Sequence, residues 1–183
     1  GRRRPGRLGH VGAHGQLDEV WILDETLSAA SVSNLFLNNV LTPPVVNTNL
    51  LLLHYRFDGD VNDSSASGNH GTAFGAAAIT ADPASVPVGS GALQLDGQDA
   101  SYVALSTPIQ FASNGTWTVA FWAQRAEAGG QKGMILGERF TTDDFIWLND
   151  SFTGFRFRSS NNTTLDFTAG QDVARHHYAL VAN

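Results

Sequence analysis

The chain has 183 residues and 42% apolar content, enough for one packed domain or one domain plus part of another. Charged residues make up only 15% and the net charge is -6, which argues against nucleic-acid binding, since neutralising phosphates takes clustered Lys and Arg. There is no cysteine, so disulfides, zinc-thiolate sites and thiol catalysis are excluded.

The chain opens with GRRRPGR, its one basic cluster, read as a loose terminus rather than a nucleic-acid arm. No apolar stretch follows Arg7 to make a signal peptide. GQLDEVWIL at 15–23 is rich in Val, Ile, Leu and Trp and predicts a strand. In DETLSAASVSNLFLNNV, Leu27, Val32, Leu35 and Phe36 recur at near-helical spacing, with Asp24 or Thr26 as the cap, and predict one or two helical turns. Thr42-Pro43-Pro44 ends that segment, and 43–49 has the composition of a linker. From Leu50 on, short strands alternate with turn signals. LLLHYRFDG (50–59) comes first, then SGALQLDGQDASYVAL (90–105) as a hairpin around Asp96-Gly97. GTWTVAFWAQR (115–125) is apolar on both faces, and GMILGERF (133–140) and DDFIWLND (143–150) follow. FRFRSSNNTTLDF (155–167) predicts a hairpin pairing Phe155 with Phe167 and Phe157 with Leu165, which sets Arg156 opposite Asp166. HHYALVAN (176–183) starts another strand; within it His176 and His177 face opposite ways and do not ligate a metal jointly. The longest aliphatic run, Leu50 to Leu53, is far too short to span a membrane. Such spacing indicates an all-β, antiparallel two-sheet sandwich or jelly roll.

Four pieces in order strengthen this: LLLHYRFDGDVNDSSASGNHGT, GSGALQLDGQDASYVAL, GTWTVAFWAQR and RHHYALVAN. They resemble the opening strand and loop, the following hairpin, the core strand and the "WhhvA" strand of laminin-G-like, concanavalin A-like lectin/glucanase domains. Arg175 stands where that last strand usually carries Trp. HGQLDEVWILDETLSAASVSNLF resembles the closing segment of the same family, yet it precedes the opening one. The resemblance therefore implies a tandem array cut out of register. Residues 1–42 would be the end of one repeat, 43–49 a linker, and 50–183 the front of the next, a C-terminally truncated jelly roll. Lacking its last strand, that domain would expose a sheet edge beside His54–Asp58. GQLDEVWIL has the pattern to fill the gap, as a permuted or swapped closure.

The loop HYRFDGDVNDSSASGNHG (54–71) admits two readings. Asp58, Asp60 and Asn62 begin like an EF-hand, but Asp63 occupies the position that must be Gly and Asn69 the one that must be Glu, so that motif fails. Asp, Asn, Ser and Gly also build turns on their own. Against this, the resemblance implies a structural Ca²⁺ held by Asp63 and Asn69 of the opening loop and Asp18 of the closing motif, with Asp58 as an addition.

Catalysis is not expected. On a strand, Asp18 with Asp24, or Glu19 with Glu25, would stand about 20 Å apart, whereas glycosidase carboxyls lie about 5–9.5 Å apart. Adjacent Asp18 and Glu19, and Asp143 and Asp144, would point to opposite faces if they lie within strands. For ligand binding, Trp147 with Asp144, Asn149 and Arg156 is the best candidate set for stacking on a sugar and reaching its hydroxyls; Trp147 as core is the competing reading. The function that follows is a non-catalytic, secreted or cell-surface recognition module, carbohydrate-binding or adhesive, with a calcium site. Its partners would be an extracellular glycan or protein and neighbouring repeats, with no nucleic acid and no membrane insertion. The alternative is a structural spacer repeat whose only ligand is calcium.

Overall fold

The computed structural model describes residues 7–10, 13–39, 48–81, 88–109, 115–127, 133–137, 145–149, 154–158, 164–168 and 173–183. In chain order the strands are β1 (Arg7–His10), β2 (His14–Leu23), β3 (Leu51–Tyr55), β4 (Gly71–Phe74), β5 (Ala78–Thr80), β6 (Ala92–Asp96), β7 (Tyr102–Leu105), β8 (Trp117–Arg125), β9 (Gly133–Gly137), β10 (Phe145–Asn149), β11 (Gly154–Arg158), β12 (Thr164–Thr168) and β13 (His176–Ala182). Among the described residues one α-helix, α1 (Ala29–Asn38), and a short 3-10 turn (Thr48–Leu50) lie between β2 and β3. The chain is all-β, built of antiparallel strands in two sheets. One sheet runs β12-β11-β10-β9-β1-β7-β4, the other β13-β8-β2-β6-β5.

Strand β2 occupies the middle of the second sheet. Its first half pairs with β6, Leu17 opposite Leu93, and its second half with β3, Val20 opposite Tyr55 and Trp21 opposite His54. Strand β8 runs along its other side, Leu17 opposite Ala123 and Ile22 opposite Val119. The early segment 14–23 thus pairs with the strand at 51–55, as its pattern suggested.

Alternation, interrupted once in β2, explains the core. Leu17, Val20 and Ile22 of β2, Leu53 and Tyr55 of β3, Leu93 and Leu95 of β6, and Val119 and Phe121 of β8 form one buried cluster with Val103, Leu105 and Ile135 of the other sheet. Both sheets therefore bury their apolar faces against a shared core. Strands β2 and β8 are apolar on their outer face too, because the helix covers it: Leu27 and Leu35 pack on Trp21, Leu23 and Ala120 as a second buried cluster. Helix α1 is capped by Ser28, whose hydroxyl accepts the Ser31 N–H at 3.1 Å, and not by Asp24 or Thr26. It ends at Asn39 in the left-handed region, φ 49°, whose N–H returns to the Leu35 carbonyl.

Two local expectations need correction. Residues 90–105 are not a hairpin: β6 belongs to one sheet and β7 to the other, so the turn at Gly97 hands the chain across the core. Alternation in such an arch is the same as in a hairpin, because Leu93 and Leu95 face Val103 and Leu105 from opposite sheets. Strands β4 and β5 were not anticipated, being short and largely exposed. The hairpin β11–β12 has the expected register, Phe155 opposite Phe167 and Arg156 opposite Asp166.

Candidate functional site

Turn chemistry dominates the opening loop. The Asp63 carboxylate is buried and accepts four hydrogen bonds: from the N–H groups of His54, Ser65 and Asn69, each at 2.9 Å, and from the Ser65 hydroxyl at 2.8 Å. A carboxylate offers about four acceptor positions, so all are in use. The Asn69 side chain is equally committed. Its oxygen accepts from the Ser106 hydroxyl and Thr107 N–H, its amide donates to the Thr107 carbonyl at 2.7 Å, and its own carbonyl accepts the Tyr55 hydroxyl. These two residues tie the loop to β3 and to the end of β7.

Asp58 lies on a different neighbour. It bonds Arg56 at 2.6 Å, and the Ser90 N–H and hydroxyl reach its other oxygen. Gly89, at φ +72°, passes so close that any Cβ there would collide with this carboxylate.

Asp18 is 1% exposed, and its Oδ2 has no hydrogen-bond partner, while Oδ1 accepts the N–H of Glu19 at 2.9 Å. Its carboxyl is pushed up to about 8. Burial is the first cause and the adjacent Glu19 charge the second; the backbone amides of Glu19 and Val88 offset part of this, and Asp58 adds a further push. Of the four residues expected to hold a cation, Asp18 alone keeps an unpartnered side-chain oxygen: Asp58 is held by Arg56 and Ser90, and the side chains of Asp63 and Asn69 are spent on the loop. Among the described residues, no three of His, Cys, Asp and Glu gather into a metal-binding group. Calcium also takes backbone carbonyls, and a buried carboxylate with an unpartnered oxygen suits it, so the fit rests on Asp18, with Asp58 as a weak electrostatic neighbour and the Arg175 guanidinium as an opposing one.

Asp18 and Glu19 do not follow simple alternation, because β2 is bulged there. Asp18 pairs with Trp122 and Trp21 with Ala120, so Glu19 and Val20 together oppose one residue of β8. Glu19 has φ +47° and is 0% exposed. Its Oε2 lies 2.7 Å from His54 Nε2, and the His54 ring stacks on Trp21 with centroids 3.4 Å apart. Sequence reading missed this trio, whose members lie on two strands. A signal was present: Leu17, Val20 and Ile22 all enter the core, a spacing of three then two that a regular strand cannot give.

Of the ligand-binding candidates, Asp144 lies outside the described residues. Trp147 pairs with Arg156 on β10 and β11, and Asn149 is two residues along β10. Positions 147, 149 and 156 therefore fall on one face of the seven-stranded sheet. Phe157 packs on Trp117 in the core, so that face is the outer one. Arg156 donates twice to Asp166, at 2.6 and 2.9 Å. At the far edge of the same sheet Phe74 stacks on Tyr102. His177 is held between Phe36 and Trp122 on the outer side of the other sheet, and burial lowers its pKa to about 4. Between β12 and β13, which end their sheets, an apolar groove of about 580 Å³ is lined by Trp117, Phe157, Leu165, Phe167, Tyr178 and Leu180. No described helix is long and apolar enough to cross a membrane. Searches against family models, curated proteins and solved structures return no match to this chain.

Proposed function

We propose that the chain is a non-catalytic, extracellular recognition module of the laminin-G-like kind. It would be a jelly-roll sandwich closed by the end of a preceding repeat, with a calcium ion held at Asp18 and Asp58 and a glycan or protein ligand on the outer face of the seven-stranded sheet. The observation that carries the reading is the pairing of the closing-type strand β2 with the opening-type strand β3, together with the buried, unpartnered Oδ2 of Asp18 on β2. The ligand assignment is supported by the gathering of positions 147, 149 and 156 on adjacent strands, the mixture of aromatic, amide and guanidinium groups that sugars require. A second reading, a spacer repeat with calcium as its only ligand, is favoured by the bidentate Arg156–Asp166 pair, which already engages the guanidinium within the sheet.

Calcium at a hundredfold above its Kd would add about 2.7 kcal/mol to stability. The test is thermal melting in EDTA and in calcium chloride, together with a glycan array under both conditions. A calcium-dependent rise in melting that Asp18→Asn and Asp58→Asn abolish, with glycan binding lost in Trp147→Ala, supports the module. A calcium shift with no glycan bound leaves the spacer. No shift in the wild type refutes the cation site.

A further inference from the structure

The buried trio of Glu19, His54 and Trp21 has no place in ligand contact, yet it is costly. A carboxylate at 0% exposure has one oxygen on His54 and the other, Oε1, without a partner. Its backbone adopts φ +47°, a region that favours glycine and is unusual for glutamate. Replacing such a buried polar pair by apolar side chains often stabilises a fold, so a stability role alone explains it poorly.

What the arrangement does is geometric. The extra residue of the bulge shifts the alternation of β2 between Leu17 and Val20, so both stay in the core. Glu19 is the residue left over from the ladder with β8, and the hydrogen bond to His54 on β3 is its anchor. The Glu19 N–H is also the donor that holds Asp18 Oδ1. The conformation of Glu19 thereby fixes the carboxylate of its neighbour through Oδ1, and Oδ2 has no close hydrogen-bond partner. Trp21, stacked on the His54 ring, keeps the imidazole in reach, and Asp63 grips the His54 backbone N–H from the loop.

We infer that Glu19, latched by His54, is a positioning residue that holds the bulge presenting Asp18 to a divalent cation. The inference rests on the calcium reading given above. It makes the closing strand and the opening strand a single support for the ion, with β2 supplying the ligand and β3 the latch.

Isothermal titration with calcium chloride, paired with melting in EDTA, tests it on the full chain. Glu19→Gly suits φ +47° and removes only the latch; His54→Gln keeps an N–H for Glu19, and His54→Phe keeps the ring and removes the N–H. Affinity is expected to fall about tenfold or more in Glu19→Gly and His54→Phe, as for outer partners of metal ligands, and to stay nearer the wild-type value in His54→Gln. Wild-type affinity in Glu19→Gly, or a lower melting temperature in EDTA with unchanged affinity, overturns the latch while leaving the calcium site standing. Should Glu19→Gly not fold, equal affinity of His54→Gln and His54→Phe overturns it instead. A wild type that binds no calcium removes both readings together.

Discussion

Asp18 shows how one buried carboxyl can make stability depend on pH. Its pKa is about 8 in the folded chain against an ordinary 3.8, raised by burial first and by Glu19 next. Between those values the folded state keeps a proton that the unfolded state releases. Without cation, then, the contribution is complete at low pH and is lost as pH rises through about 8. On the calcium reading proposed above, the cation would reverse the preference, because it would bind the ionised form and displace the proton. In EDTA the wild type should therefore lose melting temperature between about pH 5 and pH 9 relative to Asp18→Asn, and the calcium-induced rise should be larger at the alkaline end. Parallel melting profiles for the two proteins would refute this. Only the family resemblance singled out Asp18, and its buried environment was not legible in the sequence. A glutamate in the left-handed region is a choice made by tertiary contacts, and Glu19 and His54 stand 35 positions apart. Asp63 and Asn69 illustrate the converse. Their residue types fit both turn and metal, and only the donors arranged around them distinguish the two.

At the level of elements, the helix divides its apolar residues sharply. Leu35 is 1% exposed and packs with Trp21, Leu23 and Ala120, whereas Leu37 is 69% exposed. Leu35→Ala should cost roughly 2–5 kcal/mol in chemical denaturation, while Leu37→Ala should stay within about 0.5 kcal/mol. Comparable losses in both would mean that α1 does not sit on this face. Its presence was legible from the spacing of Leu27, Val32 and Leu35, and the β11–β12 hairpin from the fit of its aromatic and charged pairs. The β6–β7 arch was not legible. A hairpin and a crossing between sheets both need alternating apolar residues and a tight turn, and what separates them is the partner strand, here β2 for β6 and β1 for β7.

For the whole molecule, the decisive piece is β2. It sits between β8 on one side and β6 with β3 on the other, so among the described strands the pair β13-β8 is joined to β6-β5 and β3 only through it. Leu17, Val20 and Ile22 are all buried in the shared core, and burying each such side chain is worth about 1.5–3 kcal/mol. Their sum rivals the roughly 5–15 kcal/mol that holds a typical domain together. The helix adds to the dependence, since it leaves with β2 and uncovers the outer face of β8. Thr118 would lose both its partners there, the Leu27 N–H and the Glu25 carbonyl. Residues 48–183 alone are therefore expected to show no cooperative melting transition, although they hold most of the strands. A peptide spanning 13–39, added in trans, should restore the transition, with the midpoint rising with peptide concentration as binding linkage requires. Cooperative unfolding of the shortened chain at the parent midpoint would show that the early strand decorates a sheet that is complete without it.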